Sequence, residues 1–71
     1  MTLHVEFDRE EDGRWIAEIG SLSGCLVYGS SRDEALLNVE ALALRILADR
    51  LEHGEARPDE ANISFIVSAA A

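Results

Sequence analysis

Apolar and polar residues alternate in two stretches near the start of the chain. Each stretch carries three apolar residues at every second position: Leu3, Val5 and Phe7, then Trp15, Ala17 and Ile19. A period of two is typical of a β-strand with one buried face, because successive side chains point to opposite faces of a sheet. We therefore predict two strands that bury the same face.

The side-chain period also selects the turn between these strands. A two-residue turn at Asp12-Gly13 would place the two apolar sets on opposite faces of the hairpin. A three-residue loop, Glu11–Gly13, pairs Phe7 with Ala17 and keeps both sets on one face. We therefore predict the three-residue loop, with Gly13 in the left-handed conformation.

Two shorter strands complete the predicted sheet. Leu26–Tyr28 is apolar and is bounded by glycines, and Asn62–Val67 alternates until Ile66 interrupts its polar face. Residues 68–71 are expected to fray. With a helix between the last two strands, residues 1–71 predict a single α+β domain with two layers and the order β-β-β-α-β. Three strands form an antiparallel meander, the helix covers one face, and the final strand returns to the sheet.

The helix has sequence signals at both ends. Ser31 is predicted as its N-cap, and Glu34 stands three residues later to complete a capping box. The helix should run from about Arg32 to Glu52 or His53, and Gly54 follows where a left-handed C-cap is expected.

The predicted helix is apolar on two sides. One broad side should pack on the sheet and comprises Ala35, Val39, Leu42, Ala43 and Ile46, with Leu36 and Leu47 at its edge. The other, which we call the outer stripe, has spacings of four and three residues and comprises Leu37, Ala41, Leu44, Ala48 and Leu51. A helix on one sheet needs only one apolar side, so the outer stripe predicts self-association into a dimer or larger homo-oligomer. High helix propensity of Leu and Ala, or a loop folded over the stripe, are the alternatives.

Charge and cysteine content restrict the class of protein. The 71 residues include 14 acidic side chains against six arginines and no lysine, a net charge of −8. Such a surface repels phosphate backbones, so we expect no direct binding of nucleic acid. It would attract a basic protein partner, but charge alone is explained as well by solubility. One cysteine, no signal peptide and no apolar run of membrane-spanning length predict a cytoplasmic protein without a membrane segment.

Candidate catalytic and metal-binding residues do not form a pattern that predicts chemistry. Cys25 is expected to be buried with no base beside it, and His4 and His53 have no second metal ligand at a suitable spacing. Glu6, Asp8 and Glu18 share the outer sheet face. We interpret them as a solvated surface rather than as a metal-dependent nuclease site. We predict no enzyme activity, no metal and no cofactor.

The segment Ile19–Leu36 joins a strand, a glycine loop, a second strand and a capped helix start, and reads IGSLSGCLVYGSSRDEAL. It resembles the signature of the HicB-like antitoxins, in which a Pro-rich loop precedes Gly-Cys, a short strand, a Gly, and Asp-Ser/Thr and Glu-Ala at a helix start. Gly20 and Ser23 replace the usual prolines, which predicts a less preorganised loop. The resemblance extends over Val5–Val67 and implies a partial ribonuclease-H-like fold, with the last strand beside the first and parallel to it.

The resemblance also implies a function. HicB-like domains neutralise a HicA-type partner, a small basic messenger-RNA ribonuclease, by binding it without catalysis. The loop residues Ser21, Leu22, Ser23 and Gly24 become a candidate partner loop, and no DNA-binding extension is expected within residues 1–71. The alternative is an orphan oligomerising or ligand-sensing module without a toxin.

Overall fold

A computed structural model describes residues 1–55 and 62–67. Its elements are strands β1 (Thr2–Arg9), β2 (Trp15–Glu18) and β3 (Leu26–Gly29), helix α1 (Arg32–Glu52) and strand β4 (Ser64–Val67). They form one mixed sheet of order β3-β2-β1-β4, in which β4 is parallel to β1 and the other neighbours are antiparallel. The α+β class and the place of the last strand are as expected; β4 begins two residues later than predicted, and the expected fraying of residues 68–71 lies outside the described residues.

The β1–β2 hairpin has the predicted register. Phe7 lies opposite Ala17, and the Glu10 amide donates to the Arg14 carbonyl at 2.8 Å, which closes a three-residue loop. Gly13 has a φ of +93°, a value that side chains disfavour. The hydrophobic period therefore selected the correct turn.

The core lies between the sheet and α1. Its sheet-side residues come from the alternating positions of β1 and β2 and from the loop that follows, and its helix-side residues recur every four positions. They are Leu3, Val5, Ala17, Ile19, Leu22, Cys25, Ala35, Val39, Ala43 and Leu47. Among the described residues, no helix is apolar over a length that would cross a membrane.

Helix α1 begins and ends where the sequence indicates. The Glu34 amide donates to Ser31 Oγ at 3.1 Å, as in a capping box. The Glu34 carboxylate, however, accepts from the Ser30 amide at 2.9 Å and the Ser30 hydroxyl at 3.2 Å, one residue earlier than the box predicts, because two donors converge there. At the other end, Gly54 is left-handed, with a φ of +70°.

We expect Ser31→Ala to lower the free energy of unfolding by about 1 kcal/mol, because it leaves a helix amide without its acceptor. Ser30→Ala removes only an exposed side-chain hydrogen bond and should cost much less. Thermal unfolding of the two variants measures the difference, and equal losses would contradict the assignment of Ser31 as the N-cap.

Gly29 holds the start of α1 close to the sheet. A Cβ atom at Gly29 would meet the Ala35 amide nitrogen and would lie 2.8 Å from the Ala35 Cα. Both atoms belong to the helix backbone, which cannot move without displacing the first turn. The short distance between strand and helix therefore depends on the absence of a side chain at this position.

Candidate protein-binding surfaces

The outer face of the sheet carries three carboxylates beside exposed apolar side chains. Glu6 on β1 lies directly opposite Glu18 on β2, and Asp8 lies opposite Ile16. Leu26 on β3 follows in the same row as Glu18. We call this surface the acidic sheet face.

These residues, together with Phe7, surround a shallow hollow of about 260 Å³. Ile16 is half-buried and Leu26 is exposed. The hollow therefore offers an apolar wall next to negative charge, which suits a side chain with an aliphatic stem and a cationic head.

The carboxylates of the molecule differ in whether the protein itself neutralises them. Asp12 in the hairpin loop accepts hydrogen bonds from the Arg14 amide at 3.0 Å and from Arg14 Nε at 2.8 Å, and these bonds lower the pKa of Asp12. Within the described residues, Glu6 and Glu18 take part in no ion pair. Like charges directly opposite each other in a sheet are destabilising, so a cation that approaches this pair would relieve the repulsion.

Arginines elsewhere in the hairpin region contact aromatic rings. The Arg9 guanidinium lies 5.2 Å from the centre of the Trp15 ring, and that of Arg14 lies 4.8 Å from the Tyr28 ring. These contacts hold positive charges over rings. Tyr28 lies in the same row as Asp8 and Ile16, so Arg14 borders the acidic sheet face, but within the described residues it forms no ion pair with Glu6 or Glu18.

The outer stripe of α1 is open to solvent. Leu37 and Leu44 are 68% and 49% exposed, and the two alanines between and after them are exposed as well. Leu51, at the end of the stripe, is half-buried. The structure thus leaves most of the predicted self-association surface uncovered within one copy of the chain.

The candidate partner loop is folded despite the missing prolines. The Leu22 amide donates to the Ile19 carbonyl at 3.1 Å, and the Cys25 amide donates to the Leu22 carbonyl at 3.2 Å. The Leu22 side chain is only 4% exposed and packs in the core, whereas Ser21, Ser23 and Gly24 face solvent. A partner would therefore meet the serines and the glycine of this loop, and Leu22 would hold the loop in place.

The residues considered for catalysis lie apart. Cys25 is buried, its Sγ lies 3.8 Å from the Val39 carbonyl, and burial raises the pKa of its thiol. His53 is bound at the end of α1, where its Nδ1 lies 2.8 Å from the Asp49 carbonyl, and His4 is exposed on β1. In residues 1–55 and 62–67, no three His, Cys, Asp or Glu side chains are arranged to hold a metal ion.

The chain is similar to a protein of the UPF0150 family. The UPF0150 protein Ta0767 of Thermoplasma acidophilum is 28% identical over 58 residues, which cover 82% of this chain and 84% of that protein. No family model and no solved structure matched the chain. The similarity therefore covers most of both chains.

Proposed function

We propose that this protein is a HicB-like antitoxin domain, which binds and neutralises a small basic HicA-type messenger-RNA ribonuclease without catalysis of its own. The similarity to a UPF0150 protein supports the proposal, because UPF0150 is a HicB-like family. The signature-like segment Ile19–Leu36 supports it independently, since it supplies the strand, loop and capped helix start. An mRNA-cleaving partner would place the interaction in the cytoplasm.

The observation that carries the proposal is the pair formed by Glu6 and Glu18. Two opposed carboxylates without a counter-ion disfavour the free protein slightly and favour a complex in which a cation lies between them. Ile16 and Leu26 add an apolar contact for the stem of an arginine or lysine. A basic protein satisfies both requirements, and the net charge of −8 would accelerate its approach.

The exposed outer stripe favours a second candidate function, an orphan module that oligomerises or senses a ligand without a toxin. The genes beside this one discriminate between the two, because an antitoxin is expected next to a reading frame for a small basic protein.

The test measures binding of that neighbouring basic protein by titration calorimetry or surface plasmon resonance. We expect Glu6→Gln combined with Glu18→Gln to weaken binding about tenfold or more, which corresponds to about 1.4 kcal/mol. A control with Glu11→Gln and Glu52→Gln changes the net charge equally at exposed positions away from the acidic sheet face. It should lower the association rate modestly, and this difference should disappear as the salt concentration rises.

Activity assays complete the test. The neighbouring protein should cleave RNA alone and stop when this protein is added, whereas this protein alone should leave RNA intact with magnesium or manganese present. If the two double variants weaken binding equally, the acidic sheet face is not the surface that binds the partner. If this protein itself cleaves RNA, and the cleavage is lost when Glu6 or Asp8 is neutralised, then it is a nuclease and the antitoxin proposal is wrong.

A further inference from the structure

The two edges of the sheet are unequally protected. On the β3 edge, the Asn38 side chain donates a hydrogen bond to the Tyr28 carbonyl at 3.0 Å, so this acceptor is already occupied. On the β4 edge, no hydrogen bond from another residue of the ranges 1–55 and 62–67 reaches the side of Ser64–Val67 that faces away from β1. Helix α1 lies over β3 and β2 and barely reaches the β4 side. The β4 edge is therefore the more accessible one for a further strand.

The register with β1 shows which backbone groups point outward from β4. The Ser64 amide donates to the Met1 carbonyl at 2.9 Å, so the backbone N–H and C=O groups of Ser64 point toward β1. Those of Ile66, two residues later, do the same. Successive residues of a strand direct their backbone groups to opposite sides. Phe65 and Val67 therefore present amides and carbonyls to the open side.

From Phe65 to Val67, the side chains of this edge are apolar on both faces of the sheet. Ile66 is 51% exposed on the outer face, Val67 is 37% exposed on the inner face, and Phe65 is half-buried. Edge strands that stay single usually carry charges, a proline or a bulge, and Ser64–Val67 carries no charge and no proline.

We propose that β4 pairs antiparallel with β4 of a second copy of this chain, around a two-fold axis at Ile66. In this register Phe65 forms a hydrogen-bonded pair with the second copy's Val67, and the symmetric pair forms across the axis. Ile66 then lies opposite its own counterpart in a non-hydrogen-bonded pair, in which side chains approach most closely. The two sheets become one continuous sheet of eight strands.

The charge distribution favours a second copy over the basic partner as the occupant of this edge. Two chains of net charge −8 repel each other, so they associate best through an uncharged segment. Asn62–Val67 is such a segment, whereas the acidic sheet face is the surface that attracts cations. The self-pairing does not depend on the proposed antitoxin function, and either proposal can fail while the other stands.

The paired edge and the outer stripe are separate surfaces. The axis is perpendicular to the joined sheet, so both helices lie on the same side of it. Each helix lies over β3 and β2, two strands away from the axis, and strands are about 4.8 Å apart. The helices are thus too distant for the outer stripes to meet across this axis, since packed helices are about 8–10 Å apart.

Disulfide trapping tests the register directly. We expect Ile66→Cys to form disulfide-linked dimers in most chains under mild oxidation, because the two thiols would face each other across the axis. Leu26→Cys is the matched control, since Leu26 is 44% exposed on the outer face of the opposite edge strand. The native Cys25 needs no replacement, because it is buried and its raised pKa keeps it protonated. Equal yields for the two variants, or no dimer with Ile66→Cys, would overturn the proposal.

A charge at the axis gives a second, independent measurement. Ile66→Lys places two lysines opposite each other and should lower the mass found by light scattering, whereas Leu26→Lys should not. Circular dichroism checks that both variants stay folded, which exposure of both positions allows. An unchanged mass for a folded Ile66→Lys protein would refute the pairing, as would a Leu44→Arg variant that is already monomeric.

Discussion

Gly29→Ala is expected to remove most of the stability of this domain. The new methyl group would overlap the Ala35 backbone, so the first turn of α1 would have to move away from the sheet. Overpacking of this kind costs typically 1–3 kcal/mol, and a clash with backbone atoms belongs at the upper end. A core of this size supplies only about 3–5 kcal/mol in total. Thermal unfolding should therefore show a midpoint on the order of 10–20 °C lower.

Gly20→Ala is the control for this experiment. Gly20 also lies beside the sheet, but a Cβ atom there meets nothing within 4 Å, and its φ is not in the left-handed region. Alanine should be neutral or stabilise slightly by restricting the unfolded chain. Equal losses at the two glycines would show that the close approach of strand and helix is not what Gly29 provides.

Leu44→Arg is expected to disrupt self-association through the outer stripe. Leu44 lies in the middle of the stripe and is exposed in a single chain, so the change should leave the fold intact. In an assembly it would bury an unpaired charge, which at about 3 kcal/mol lowers affinity on the order of a hundredfold. Light scattering should find a lower mass for the variant than for the wild type, and the variant should remain a dimer through the proposed pairing of the β4 edges.

A control variant with the same change in net charge separates the effect of charge from the loss of the apolar contact. Glu52→Gln also makes the chain less negative by one, at an exposed position on the polar side of α1. It should leave the mass unchanged. A wild type that remains monomeric at high micromolar concentration would contradict the role of the outer stripe.

Periodicity and end signals predicted the fold well because they reflect local constraints. The face shared by Phe7 and Ala17 follows from the two-residue period once a buried face is assumed, and the turn follows from the register. The helix boundaries follow from Ser31 and the glycine after His53. Each of these inferences concerns residues that are neighbours along the chain or in one hairpin.

The features that the sequence did not predict depend on neighbours that are distant along the chain. Leu22 belongs to the candidate partner loop, and the sequence did not indicate that its side chain is buried in the core with residues of β1, β2 and α1. The apolar wall of Leu26 beside Glu18 appears only when β3 is in register with β2. The close approach of Gly29 to Ala35 likewise depends on how far β3 lies from α1, and a hydrophobic pattern does not indicate that distance.

The order of the strands has a consequence for the chain during its synthesis. Strand β1 lies inside the sheet, but its neighbour β4 is translated only after the whole of α1. Until then, β1 is an edge strand whose open side adjoins the apolar side chains of Leu3 and Val5. Such an edge recruits strands of other nascent chains, and long-range parallel pairing forms slowly. The growing polypeptide is therefore most prone to aggregation after its helix has emerged and before its last strand has done so.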